Sequence, residues 1–159
     1  SWTYIIKKTT NYLIKKHSLD INEFALVDIG CGKGKVLCVW SRMFRRKTGV
    51  LLVGLDYSKY LLGICDKNLK RMAASNFKLV HCDATEDIYD FGKKMRIYYL
   101  YNPFDETILN SVLKKIKQNN CYIIYSNPKN ENIFVENGFN IIKKHIGWHP
   151  NANYILYSN

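Results

Sequence analysis

The chain has 159 residues, a formal net charge of +11 at pH 7 and an isoelectric point near 9.4. That length is one domain's worth, enough to bury a full core around a single sheet, and no apolar run approaches the roughly 18–20 residues that cross a bilayer as a helix. The N-terminal lysines are scattered, with no apolar stretch or small-residue cleavage site behind them, which argues against a secretory leader; the sequence opens on Ser1 rather than Met, as a trimmed chain or a fragment does.

The five cysteines, Cys31, Cys38, Cys65, Cys82 and Cys121, are odd in number and show no C-x-x-C spacing. They argue against a disulfide framework and a zinc site, and fit reduced thiols in the cytoplasm. The positive charge suits acidic partners such as nucleic acid, anionic glycans or acidic proteins. It follows equally from a composition rich in Lys, Asn, Ile and Tyr, the bias of an AT-rich genome, and no Arg-rich run decides between the two.

Residues 1–17 form an amphipathic helix in which Trp2, Ile5, Ile6, Thr9, Tyr12 and Leu13 share one face and Lys7, Lys8, Asn11 and Lys15 lie mostly opposite. That basic face reads as solvated before it reads as a docking surface. Phe24–Ile29 is a short apolar strand, Gly30–Gly34 a glycine loop, and Lys35–Lys47 a helix burying Val36, Leu37, Val39, Trp40 and Met43. Val50–Leu55 is a second strand ending at Asp56. Ser58 then caps a helix to about Ala74, with Leu61, Leu62, Cys65, Leu69 and Met72 inward. Phe77–His81 is a third strand, Thr85–Phe91 a short helix or turn, and Met95–Tyr101 a fourth strand. Asp105 caps a helix with Ile108, Leu109, Val112, Leu113 and Ile116 on its apolar side. Cys121–Tyr125 is a fifth strand, Pro128 starts a helix to about Asn137, and Gly138 stops it. Phe139–Ile146 and Asn153–Tyr157 are strands joined by a turn over Gly147–Ala152, so they pair antiparallel. Trp148, His145 and His149, in or beside that hairpin, read as packing or surface residues. The alternation is that of a single α/β domain over residues 1–159, a parallel sheet with helices on both faces.

Ligands of open α/β sheets bind outside the carboxyl ends of the strands. Those ends carry Asp28-Ile29-Gly30-Cys31-Gly32-Lys33-Gly34, then Asp56-Tyr57-Ser58, then Cys82-Asp83-Ala84, then Asn102-Pro103-Phe104-Asp105. Glycine lets backbone approach a ligand, and a helix N-terminus favours an anionic group. A dinucleotide site wants G-x-G-x-x-G. Here the spacing is G-x-G-x-G, and Lys35 stands where the third glycine would fall. An acid at the end of the second strand, Asp56, is placed to accept both hydroxyls of a ribose. Without a ligand, Asp56, Asp83 and Asp28 would each serve as an ordinary cap or strand-end acid, and Asn102 as a turn starter. Pro103 pushes Asn102 toward extended backbone.

In these motifs the chain resembles the class I, Rossmann-like S-adenosylmethionine-dependent methyltransferases, from about Phe24 to the C-terminus. Its fourth motif is similar to the Y-N-P-F-D element of small bacterial methyltransferases, and to the N-P-P-[YF] element of amino-group methyltransferases with one proline absent. The resemblance implies a doubly wound, mostly parallel seven-stranded sheet in the order 3-2-1-4-5-7-6, ending in an antiparallel hairpin and preceded by an extra helix. It implies S-adenosylmethionine as cofactor. Gly30, Cys31, Gly32 and Gly34 would wrap its methionine part, Asp28 would hold its amino group and Asp56 its ribose. Asp83 would meet the adenine amino group, with Ala84 and Cys82 beside the ring and Tyr57 packed on it. Asn102 would present a target nitrogen and Phe104 would stack on the acceptor. No metal is required. A methyltransferase fold that has lost catalysis and binds RNA or a protein, and a nicotinamide-dependent oxidoreductase, are the rival readings; the glycine spacing and terminal hairpin argue against the second.

Overall fold

Three strands of the sheet are apolar on both faces and therefore need cover on both. In the computed structural model, which describes residues 2–47, 49–86 and 89–159, they lie in the middle of the sheet. The elements run α1 (Thr3–Lys16), β1 (Phe24–Ile29), α2 (Lys35–Met43), β2 (Leu51–Asp56), α3 (Lys59–Arg71), β3 (Phe77–His81) and β4 (Met95–Leu100). They continue with α4 (Glu106–Ile116), β5 (Cys121–Ser126), α5 (Glu131–Glu136), β6 (Asn140–His145), a 3-10 turn over Pro150–Ala152 and β7 (Tyr154–Ser158). One sheet contains seven strands in the order β3-β2-β1-β4-β5-β7-β6. The pairs among β1 to β5 are parallel, whereas β7 runs antiparallel to both β5 and β6. Every residue of β1 is buried, while the edge strands β3 and β6 stay partly wet, which is how position in a sheet shapes strand composition.

Alternate residues of β1 serve two cores. Phe24 and Leu26 join Ile6 and Leu13 of α1, Trp40 of α2 and Leu69 of α3. Ala25, Val27 and Ile29 join Leu113 of α4 and Phe134 of α5. Trp40 donates its indole N–H to Thr10 Oγ1 at 2.9 Å, so Thr10 belongs to the buried stripe of α1, which periodicity alone does not predict. Both Tyr98 and Tyr99 are core residues.

Several boundaries differ from the sequence-based expectation, each for a local reason. Helix α2 stops at Met43 instead of Lys47, because Arg45, Arg46 and Lys47 offer no apolar side chain to the sheet. Helix α3 ends at Arg71, ahead of Ala73, whose left-handed backbone (φ +51°) closes it. Pro128 lies upstream of α5, since the amides of Lys129 and Asn130 turn toward the Tyr125 hydroxyl instead of into a helix. The expected turn over 85–91 lies partly outside the described residues. Among the described residues no helix is long and apolar enough to cross a membrane.

Candidate functional site

The glycine loop after β1 is fastened to the end of β2. The amides of Gly30 and Cys31 both donate to the Leu55 carbonyl, at 2.8 and 3.0 Å. The Gly32 amide donates to Asp56 Oδ2 at 2.8 Å, and the Ser58 amide donates to Asp56 Oδ1 at 2.8 Å. Asp56 therefore ties the loop to the start of α3 through both carboxylate oxygens. Ser58 completes that turn by accepting from the Leu61 amide at 3.3 Å, the cap the sequence predicts. His81 Nε2 meets the Tyr57 carbonyl at 2.9 Å and links the same turn to β3.

The glycines have different reasons for being there. Gly34 is the left-handed N-cap of α2 (φ +82°), and a Cβ on it would sit 2.4 Å from Cys65 Sγ. It is a glycine so that α2 can pack against α3, and it does not line the cleft described below. A Cβ on Gly32 would meet nothing within 4 Å, and one on Gly30 would reach Pro103 Cβ at 3.0 Å. Cys31 is buried beneath the loop; hydrogen bonding with the Cys65 thiol, then burial, hold its own thiol far above its ordinary range, so it stays protonated.

Above the loop lies a cleft of about 470 Å³, within the range of small-molecule sites. Gly30, Gly32, Leu55 and Asp56 line it from the first two strand ends, Tyr57 and Leu61 from the start of α3. Cys82, Asp83 and Ala84 contribute from the third strand end, and Pro103, Phe104 and Ile108 from the fourth. Four strand ends thus converge on one cavity. Asp83 is in an Asx turn, accepting from the Thr85 amide at 2.8 Å and the Thr85 hydroxyl at 2.7 Å, and these bonds hold its carboxyl below the usual range. The Ala84 carbonyl accepts from the buried Tyr89 hydroxyl at 2.6 Å. Burial pushes the Cys82 thiol up to about 11.

Besides Cys31 and Gly34, two more predicted site residues, Asp28 and Asn102, stand outside the lining. Asp28 is 4% exposed at the end of β1, and burial first, then the nearby Asp56 carboxylate, push its pKa up to about 8. Asn102 is left-handed (φ +45°), not extended as the following proline suggests, and its Oδ1 accepts from the Tyr125 hydroxyl at 2.8 Å. Asparagine tolerates this backbone better than most residues, and the Tyr125 bond fixes its side chain.

Ile108, assigned to the buried stripe of α4 by its spacing, is instead 38% exposed in the cleft. Helical periodicity places it on the inward side, but in the first turn of α4 that side opens onto the cleft. Leu61, also placed on the inward side of its helix by spacing, lines the cleft too. Leu55 and Pro103 carried no site role, and their adjacency to the motifs is the signal that points to them. Tyr125 is on β5 whereas Asn102 follows the end of β4, and nothing local in the sequence pairs them. Among the described residues no cluster of three or more His, Cys, Asp or Glu side chains could hold a metal ion.

A family model described as a methyltransferase domain matches residues 21–145. No curated protein matches. Among solved structures, magnesium protoporphyrin IX methyltransferase from Synechocystis PCC 6803 with bound S-adenosylmethionine superposes with a TM-score of 0.69 at 13% identity, over 98% of this chain and 77% of that one. An S-adenosylmethionine-dependent methyltransferase from Aquifex aeolicus gives 0.65 at 11% identity, over 99% and 97%. An rRNA methylase from Streptococcus thermophilus gives 0.63 at 15%, over 94% and 92%.

Proposed function

The chain belongs to the methyltransferase-domain family, and from that premise we propose that it transfers a methyl group from S-adenosylmethionine to a nitrogen acceptor. The observation that carries the cofactor reading is the glycine loop fastened to Asp56 beside a cleft that four strand ends line.

The residues present fit that cofactor. Gly32 leaves open space beside the loop. Each Asp56 oxygen gives one lone pair to a backbone amide and keeps another for a ribose hydroxyl. Asp28, held largely neutral at pH 7 in the ligand-free fold, regains its charge when an ammonium group arrives. Tyr57, Cys82, Asp83 and Ala84 offer the adenine a mixed apolar and polar wall. Gly30, Cys31 and Gly34 shape the loop that encloses the amino-acid part. When bound, the cofactor supplies a sulfonium methyl already activated for displacement. The chain's task is alignment, which is worth up to roughly 7–11 kcal/mol of barrier. Asn102 Oδ1, fixed by Tyr125, keeps a second lone pair for an acceptor N–H and so orients the nitrogen lone pair. Phe104 offers a ring for the acceptor to stack on. The five cysteines are unpaired thiols, which supports a reducing, cytoplasmic setting.

Calorimetry tests the cofactor assignment. S-adenosylhomocysteine should bind with a dissociation constant of about micromolar order, and NAD far more weakly. No heat with either S-adenosyl ligand sinks the reading. A tritiated-methyl assay on cell extract, treated separately with nuclease, protease or a small-pore filter, then identifies the acceptor class.

Asp56→Ala should weaken S-adenosylhomocysteine binding by roughly 1.5–3 kcal/mol, the range for hydrogen bonds to a charged group. It should also lower thermal stability, because the Gly32 and Ser58 amides lose their shared acceptor. A lower melting temperature with an unchanged dissociation constant would show that Asp56 is only a cap.

A further inference from the structure

We propose that the methyl acceptor is carried on single-stranded nucleic acid, which docks on an aromatic and basic platform built from the start of α1 and the β6–β7 turn. The inference rests on the methyl-transfer reading and names its substrate class.

The turn sits on the same edge as the cleft. Strand β7 is antiparallel to β5, and Tyr154 pairs with Ser126 at the carboxyl end of β5. The Tyr101 hydroxyl donates to Asn151 Oδ1 at 2.7 Å, tying the turn to the residue directly before Asn102. The turn is held in place by its own polar groups: Gly147 N–H to Asn153 Oδ1 at 2.8 Å, Asn151 N–H to His149 Nδ1 at 3.1 Å, and Asn127 N–H to the Asn153 carbonyl at 2.9 Å.

On this fixed turn the Trp2 ring stacks on His149 (centroids 5.2 Å apart, 29° between planes) and tilts against Trp148 at 5.6 Å. Trp148 is nonetheless 86% exposed, and Tyr4, in the first turn of α1, is 65% exposed. Burial of a large aromatic side chain is worth a few kcal/mol, so an indole left in water on an ordered turn has surface available for a partner. Lys8 sits over the Tyr4 ring at 5.5 Å, and Lys143 of β6 over Tyr12 at 4.4 Å. The segments that contribute to this face, residues 1–19 and 137–159, contain six lysines and not one Asp or Glu. Lys144 pairs with Glu131 of α5, and Lys15 and Lys16 are at the far end of α1, where His17 stacks on Tyr122 at the start of β5, so the platform draws on Lys7, Lys8 and Lys143. The acidic residues are confined to the 117 positions between them.

Cations interleaved with stackable rings match a polyanion whose units are flat and aromatic. An acidic protein would satisfy the charge but not the stacked rings. A lipid surface would use Ile146, 76% exposed beside Trp148, but would leave unused the rings stacked on one another among Asn151, Asn153 and His149. A strand lying across Trp148 would lead, past the Tyr101–Asn151 link, to Asn102 and Phe104.

The test measures binding of fluorescein-labelled 12-nucleotide mixed-sequence RNA and DNA single strands by anisotropy, at several salt concentrations, with S-adenosylhomocysteine affinity measured in parallel by calorimetry. Trp148→Ala should weaken oligonucleotide binding by about tenfold, the loss of one base stack, and Trp148→Phe should restore most of it. Lys7→Glu with Lys8→Glu should weaken it too and flatten the salt dependence by about 1.4 in log–log slope if two phosphate contacts are lost. S-adenosylhomocysteine affinity should be unchanged in all three. The strand chemistry that binds more tightly is the better candidate for the natural acceptor. Full oligonucleotide affinity in Trp148→Ala, no binding of either strand by the wild-type protein, or capture of phosphatidylserine vesicles in preference to both strands overturns the proposal. Absence of S-adenosylhomocysteine binding instead overturns the methyl-transfer reading, so the two failures are distinct.

Discussion

Asn102→Ala is expected to lower methyl transfer by about 10²-fold or more, the cost of losing one positioned hydrogen bond at a reacting centre. The left-handed backbone at Asn102 and the 2.8 Å bond from Tyr125 fix where Oδ1 points, so the acceptor nitrogen meets a group that need not reorganise. Because the role proposed for Asn102 is toward the acceptor and not the cofactor, S-adenosylhomocysteine affinity should stay essentially unchanged. Tyr125→Phe removes the orienting bond and leaves the amide in place, so its loss should be smaller and of the same kind. The check is a tritiated-methyl assay on extract, with cofactor affinity measured on the same preparations. Near-normal turnover in Asn102→Ala, or an O-methyl or C-methyl product, rejects the nitrogen assignment.

Cofactor binding is expected to release close to one proton at pH 7. Asp28 is pushed up to about 8 in the ligand-free fold by burial and then by Asp56, so it is mostly neutral at that pH. A neighbouring ammonium favours the ionised form and expels the proton. Calorimetric heats in two buffers of different ionisation enthalpy measure this directly, and identical heats would show that Asp28 does not change state. The same shift sets a pH dependence of stability. The folded chain binds the Asp28 proton more tightly than the unfolded chain, whose value is near 3.8. That contribution is fully present below about pH 4 and is lost as the pH rises through 8. By pH 7 the loss amounts to as much as roughly 4 kcal/mol. Asp28→Asn should therefore melt higher than wild type at neutral pH, with the gap closing on acidification, while binding the cofactor more weakly.

The two effects have one origin. A buried acid beside a second acid is a poor structural element, and its cost to the free fold is recovered only when a cation is bound. A residue serving only as a strand-end cap would show neither proton release nor a stabilising Asn substitution.

Much of this molecule follows from local pattern. Apolar runs of five or six residues bounded by glycine and acid specify the strands, because a strand covered on both faces can hold little else. Ser58 and Asp105 cap their helices as their positions predict, since an N-cap needs only a side-chain oxygen two or three residues from free amides. The four strand-end motifs could be assigned to one edge because parallel strands joined by right-handed crossovers must align their carboxyl ends. What only the tertiary structure decided are contacts between residues distant in the chain. Gly34 answers to Cys65, Asn102 to Tyr125 and Thr10 to Trp40, and Ile108 lines the cleft with residues from three other strand ends. The pairing of Trp2 with Trp148 joins the two ends of the sequence. Periodicity reports which face of an element is apolar. It carries no information on which neighbour covers that face, because the neighbour is chosen by packing across the whole sheet.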